Sequence, residues 1–271
     1  LVALILILFA TLRSNNVGTD ANNYIGMFSN LAYSQSNFFD IDSSIEIGYL
    51  IIERIAYYIS SNYWSLFFIV SLISVIFSLL AINKMSENIM LSIFLYVALG
   101  SYLFFFNGAR QGLAIGICSL GYYFLIQKNF KLFFISVCFG FLFHKTSVFF
   151  LPFYFINQLK FSFKSIVFTT IFTLIVSFFV FNILPLLGQS FTENFLVYQN
   201  RGAKGGAYLA VYYAVTTIIL ILFRRNIPHP KLSKYDIYLF TCLITTIIYL
   251  FVVFTGSDVN FLRLTLYLTM G

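Results

Sequence analysis

Long apolar runs along the chain are separated by short clusters of charged and turn-forming residues, and these runs set the expected elements. They cover 1–12, 63–83, 89–106, 111–127, 131–143, 146–158, 165–188, 207–223, 236–254 and 261–271. The first and last are partial spans, because a 12-residue helix rises only ~18 Å and a hydrocarbon core is ~30 Å thick. Helix is the predicted element throughout, since backbone groups in lipid must pair within the segment or in a closed barrel. Barrel strands alternate with period two, and runs such as Phe67-Phe68-Ile69-Val70 do not. The expected fold class is all-α. The pattern describes a polytopic integral membrane protein of ten or more helices, a single transmembrane domain over 1–271 with helices continuing past both ends.

Composition agrees. The 271 residues are 60% hydrophobic and 9% charged, with 36 Phe, 19 Tyr and a mean hydropathy of +0.91. A water-facing surface cannot be covered by so few charges, since soluble domains carry about 25%. Cys118, Cys138 and Cys242 all fall inside apolar runs, where they read as small buried hydrophobes. Neither a disulfide framework nor metal-ligand spacing follows from them.

When alternate connections are assigned to opposite membrane faces, nine of the 16 basic residues share one face with only two of the nine acids. Lys84, Lys128, Lys160, Arg224 and Arg225 belong to that set, which reads as cytoplasmic by the excess of Lys and Arg in its short loops. The net charge of +7 is thus a topology signal, and it gives no support to nucleic-acid binding. The opposite, external face holds the long connections, where function concentrates.

Residues 13–62 form the largest external loop. Near its head, Gly18 permits a tight turn, and Asp20 either caps a following helix or binds substrate. Glu46 and Glu53 are seven apart and share one face of an expected amphipathic helix at the outer interface. For Glu53 the competing reading is a solvated stripe. Arg110 and Gln111 open the run 111–127, where a guanidinium beside free helix N–H groups suits phosphate oxygens. His144 and Lys145 join two short apolar runs, so their turn is held below the outer surface. An ionisable pair at such depth reads as a functional site, the alternative being a hydrogen-bonded packing histidine. Arg201-Gly-Ala-Lys204-Gly-Gly reads as a phosphate cradle or a flexible linker, and Arg263 as an anion ligand or an interfacial anchor. No Walker A, GxGxxG, zinc-spacing or serine-hydrolase motif occurs, so no metal and no cofactor is expected.

Four ordered motifs are Gly18-Thr19-Asp20 with Tyr24, Glu46-x-Gly48-Tyr49, Arg110-Gln111-x-x-Ala114 and His144-x-x-Ser147. Together they resemble the EpsG-like branch of the Wzy-type polysaccharide polymerases across residues 13–150. Beyond that region the likeness rests on hydropathy and Arg263. The resemblance implies a glycosyltransferase C-like, multi-pass enzyme of the bacterial cytoplasmic (inner) membrane. Its substrates would be oligosaccharide repeat units on undecaprenyl pyrophosphate, joined externally into capsule, exopolysaccharide or O-antigen, with no nucleotide sugar or divalent metal. Arg110 and Arg263, helped by Arg13 or Arg201, would bind the pyrophosphate. His144 is the first candidate base, followed by Asp20 and Glu46, while Tyr24, Tyr49 and Gln111 would contact sugars and Trp64 either joins them or, the favoured reading, belongs to the aromatic belt. Membrane lipids and other polysaccharide-assembly proteins are the implied partners. A glycan ligase, a flippase or transporter of lipid-linked sugars and a membrane acyltransferase are the competing readings.

Overall fold

The computed structural model describes residues 1–30, 45–156, 158–180, 205–257 and 259–269, with the main chain alone at 259–261. Arg201, Lys204, residues 31–44 of the long loop and the ends of the runs 165–188 and 261–271 lie outside them. Every regular element among the described residues is helical. Among the described residues, three helices are long and apolar enough to cross a membrane: Tyr63–Met85, Ala207–Asn226 and His229–Thr255. They fall on the runs 63–83, 207–223 and 236–254.

Other runs give shorter elements. The run 89–106 divides into α5 (Ile89–Ala98) and the single turn α6 (Phe104–Asn107). The run 146–158 becomes a 3-10 turn, Lys145–Phe150, followed by α9 (Leu151–Ile156). Pro152 sits at the second position of α9, within the first turn where a missing N–H costs little. Asparagines mark several starts. Asn62, Asn88 and Asn129 accept hydrogen bonds from the backbone of Trp64, Leu91 and Leu132, satisfying donors that a helix N-terminus leaves unpaired.

The described residues form two compact units, Leu1–Leu151 and Pro152–Thr269. In the first, α7 (Ala109–Ile126) packs between α4 (Tyr63–Met85) and α8 (Phe130–Phe141), while α1 (Val2–Thr11) and α3 (Ile47–Ile59) pack on α4. The buried face of α4 carries Ser71, Ser74 and Ser78, small residues that let apolar helices approach closely. Thr11 donates to the carbonyl of Ile7 at 2.7 Å and meets the Ser71 hydroxyl at 3.2 Å, so its polar group is satisfied inside the packing.

Helix α3 shows which of its faces turns inward. Tyr49, Ile52, Glu53 and Ala56 are buried, while Ile47, Ile51, Ile55 and Ile59 form an exposed row. The acidic side therefore faces protein and the isoleucines face outward, the reverse of a solvated charged stripe.

In the second unit, α10 (Phe163–Phe178) and α11 (Ala207–Phe223) both pack on α12 (His229–Thr255). Arg224 and Asp236 form a two-pronged pair, Nε to Oδ1 at 2.7 Å and Nη2 to Oδ2 at 2.8 Å. The guanidinium also lies 4.2 Å from the Phe161 ring centre. Cys118 is buried as expected, but Cys138 is exposed and Cys242 intermediate.

Candidate functional site

The start of α3 is fixed against the end of α8. Gly48 N–H donates to the carbonyl of Leu142 at 2.8 Å. A Cβ at residue 48 would lie 2.6 Å from that oxygen, so the approach requires glycine. Glu46, the residue preceding the helix, is thereby carried to the turn that holds His144. On its side, His144 N–H bonds to Gly140 O at 2.9 Å, and Ser147 Oγ donates to Val137 O at 3.2 Å. Both bonds tie the turn to α8.

Glu46 joins two other sequence-selected residues. Arg110 Nη1 donates to Glu46 Oε2 at 2.7 Å, and His144 Nδ1 lies 2.9 Å from Glu46 Oε1. The backbone N–H of Lys145 reaches the same Oε1 at 3.3 Å. The side chain of Glu46 is 7% exposed, against 27% for Arg110 and 25% for His144. The carboxylate is thus enclosed, while its two partners are partly exposed. Burial alone would raise the Glu46 carboxyl, but the hydrogen bond from His144 and the charge of Arg110 outweigh it and hold it at about 2. An ionised carboxylate only accepts hydrogen bonds, so His144 donates to it from Nδ1.

Arg110 is the second residue of α7. A strap running from Arg13 to Tyr24 packs over the segment that leads into it. Gly18 has φ +108°, and a Cβ there would stand 2.5 Å from the carbonyl oxygen of Phe106. Asn107 Oδ1 accepts from Thr19 N–H at 2.7 Å. One turn into α2 (Ala21–Asn30), Tyr24 hydrogen-bonds Arg110 through its phenol. Hence the Gly-Thr pair of the first motif docks on α6, and docking brings Tyr24 to the guanidinium. Asp20, partly exposed, directs its charge toward Tyr24.

Glu53, for which the sequence left a solvated stripe as the competing reading, is enclosed as well. It is 2% exposed, and Tyr49, one turn earlier on α3, is 0% exposed. They interact electrostatically, yet neither Tyr49 Oη nor Glu53 Oε1 has a hydrogen bond of acceptable geometry. Burial pushes the Glu53 carboxyl up to about 7, against the opposing pull of Arg110 and Arg54. The sequence signal for it was available: an acid one turn after a tyrosine, opposite isoleucines spaced four apart. Asn107 was missed, its signal being an asparagine before Gly108 at a helix end.

The remaining candidates differ in their surroundings. Tyr24 and Tyr49 pair with each other, centroids 5.7 Å apart, so the fully buried Tyr49 ring has no face open to a sugar. Gln111 is buried beside Arg110, and Trp64 is exposed next to Tyr63. Arg13 is clamped between Phe67 and Phe106, its guanidinium carbon 3.9 and 4.3 Å from their ring centres. Arg263 lies, partly buried, on a 3-10 turn of the second unit.

These features define a helical protein of membrane type, with a polar site assembled where helices begin and end. The family model of the EpsG family matches residues 1–271, and the chain belongs to that family. Membership points, in general terms, to a Wzy-like polysaccharide polymerase with glycosyltransferase-like activity and, with the apolar helices, to a membrane location. No curated protein and no solved structure matches the chain.

Proposed function

We propose that the chain polymerises oligosaccharide repeat units carried on undecaprenyl pyrophosphate, acting at the external face of the bacterial cytoplasmic membrane as a multi-pass enzyme. The observation carrying this reading is the convergence of Arg110 and His144 on the enclosed carboxylate of Glu46. In the proposed step, His144 Nε2 takes the proton of an acceptor sugar hydroxyl. That oxygen attacks the anomeric carbon of the donor, whose bond to the diphosphate breaks. The electron pair leaves on the diphosphate, and Arg110 neutralises it as it departs. A guanidinium has five N–H donors, more than one carboxylate oxygen and one phenol take up. Glu46 remains ionised throughout, fixing the imidazole tautomer and stabilising the imidazolium. Because guanidinium supplies the positive charge, this reading calls for no divalent metal.

The test replaces Arg110, His144 or Arg263 by Ala in the producing cell and resolves glycan length on a gel, with membrane protein levels matched. Loss of Arg110 or His144 is expected to reduce polymer by ~10²–10⁴-fold, the range for a positioned base or charge stabiliser. Single repeat units should then accumulate on the lipid. Wild-type ladders from both variants would overturn the reading. Long glycan that stays on the lipid and never reaches a final acceptor would instead indicate a ligase.

A further inference from the structure

The diphosphate reading gives Glu53 no part, although Glu53 is a second buried carboxyl, one on which the charge of Arg110 acts. Its surroundings are specific. Tyr49 faces it from the same helix, Arg54 is its neighbour, and Arg110 acts on it from α7. Glu46, His144 and Tyr24 complete the set of titratable and charged groups around Arg110. Glu53 Oε1 has no hydrogen-bond donor and Tyr49 Oη no acceptor of good geometry, an arrangement that costs free energy in a merely structural pair. The two carboxyls therefore differ in character: Glu46 meets a basic partner on each oxygen, whereas Glu53 Oε1 meets none.

We propose that Glu53 is a positioning residue of the diphosphate site, its charge state setting how strongly Arg110 holds the substrate. The inference rests on the function proposed above. Neutral Glu53 leaves Arg110 facing one carboxylate, Glu46, and free to attract an anion. Ionised Glu53 adds a second negative charge within reach of Arg110 and weakens that attraction. Burial already places the change close to neutral pH, and divergent environments for two nearby carboxyls are how acid and base roles are separated within one site.

The experiment measures binding of inorganic pyrophosphate to the purified full chain in lipid nanodiscs by calorimetry, from pH 5.5 to 8.5. Titration of the ligand is common to all chains and cancels in the comparison. Glu53→Gln mimics the neutral form, so it should match wild type at pH 5.5 and bind ~3–10-fold more tightly at pH 8.5, as expected for removing one nearby charge at intermediate dielectric. Tyr49→Phe removes a hydroxyl that favours ionised Glu53, so the wild-type loss of affinity should move to higher pH. This second variant also decides the matter if Glu53→Gln does not fold. Equal pH profiles for wild type and both variants would overturn the inference while leaving the diphosphate site intact. Absence of pyrophosphate binding by the wild type at every pH would remove the site reading and the inference together.

Discussion

His144 Nδ1 lies 2.9 Å from Oε1 of Glu46, so the imidazole is oriented by a carboxylate that stays ionised down to about pH 2. Converting that carboxylate to an amide keeps the shape and removes the charge. Glu46→Gln is expected to lower polymer formation by at least ~100-fold, since the imidazolium loses its stabilising charge and either tautomer becomes allowed. Glycan gels from cells with equal membrane levels of the two proteins check this. A variant with full-length ladders would assign Glu46 to structure alone.

Gly48 makes the same dyad depend on backbone packing. A methyl at this position would meet Leu142 O at 2.6 Å and its carbonyl carbon at 2.9 Å. Helix α3 must then back away, breaking the Gly48–Leu142 bond and drawing Glu46 from His144. Gly48→Ala should cost about 1–3 kcal/mol, the usual range for overpacking, and abolish polymer. A thermal-unfolding scan in detergent together with the glycan gel tests both effects. Gly26, where an added methyl would have nothing within 4 Å, serves as the control substitution to Ala.

Much of the helical order was legible because its causes are local. Asn62 and Asn129 announce helix starts through their own side chains, and the apolar runs fix where α4, α11 and α12 lie. The triad is different in kind. Glu46 is separated by 64 residues from Arg110 and by 98 from His144, so no spacing rule links them, and each was selectable only by its own chemistry. Glu53 stayed between two readings for a related reason. Isoleucine suits lipid and protein interior equally, so the hydrophobic pattern of α3 gave its period but not which face turns inward. Arg13 shows the same limit: the resemblance offers it as a helper at the pyrophosphate, but its aromatic partners come from α4 and α6, which the sequence does not link to it.

That clamp gives Arg13 a separable role. Phe67 and Phe106 lie on its two sides, and a planar guanidinium stacks where an ammonium cannot. Arg13→Lys is expected to lose about 1–2 kcal/mol of stability, the scale of desolvated cation–π contacts, with pyrophosphate affinity unchanged within about twofold. Unfolding and calorimetry on the same preparation separate these outcomes. A loss of affinity without loss of stability would make Arg13 a substrate ligand instead.

Glu46 and Glu53 should leave opposite marks on stability as pH changes. Glu46 is depressed from 4.5 to about 2. Its contribution is therefore complete above the unfolded value and lost as pH falls from about 4.5 through 2. Glu53 is raised from 4.5 to about 7. Folding favours its protonated form, so its contribution is complete below 4.5 and is lost as pH rises toward 7, where both states become ionised. Thermal midpoints in detergent from pH 4.5 to 8 should fall less in Glu53→Gln than in wild type, and at pH 8 the variant should be the more stable. Glu46→Gln should flatten the acid limb below 4.5 and leave the neutral limb unchanged. If Glu53→Gln retained the wild-type slope between 4.5 and 7, its carboxyl would not be the group that titrates there.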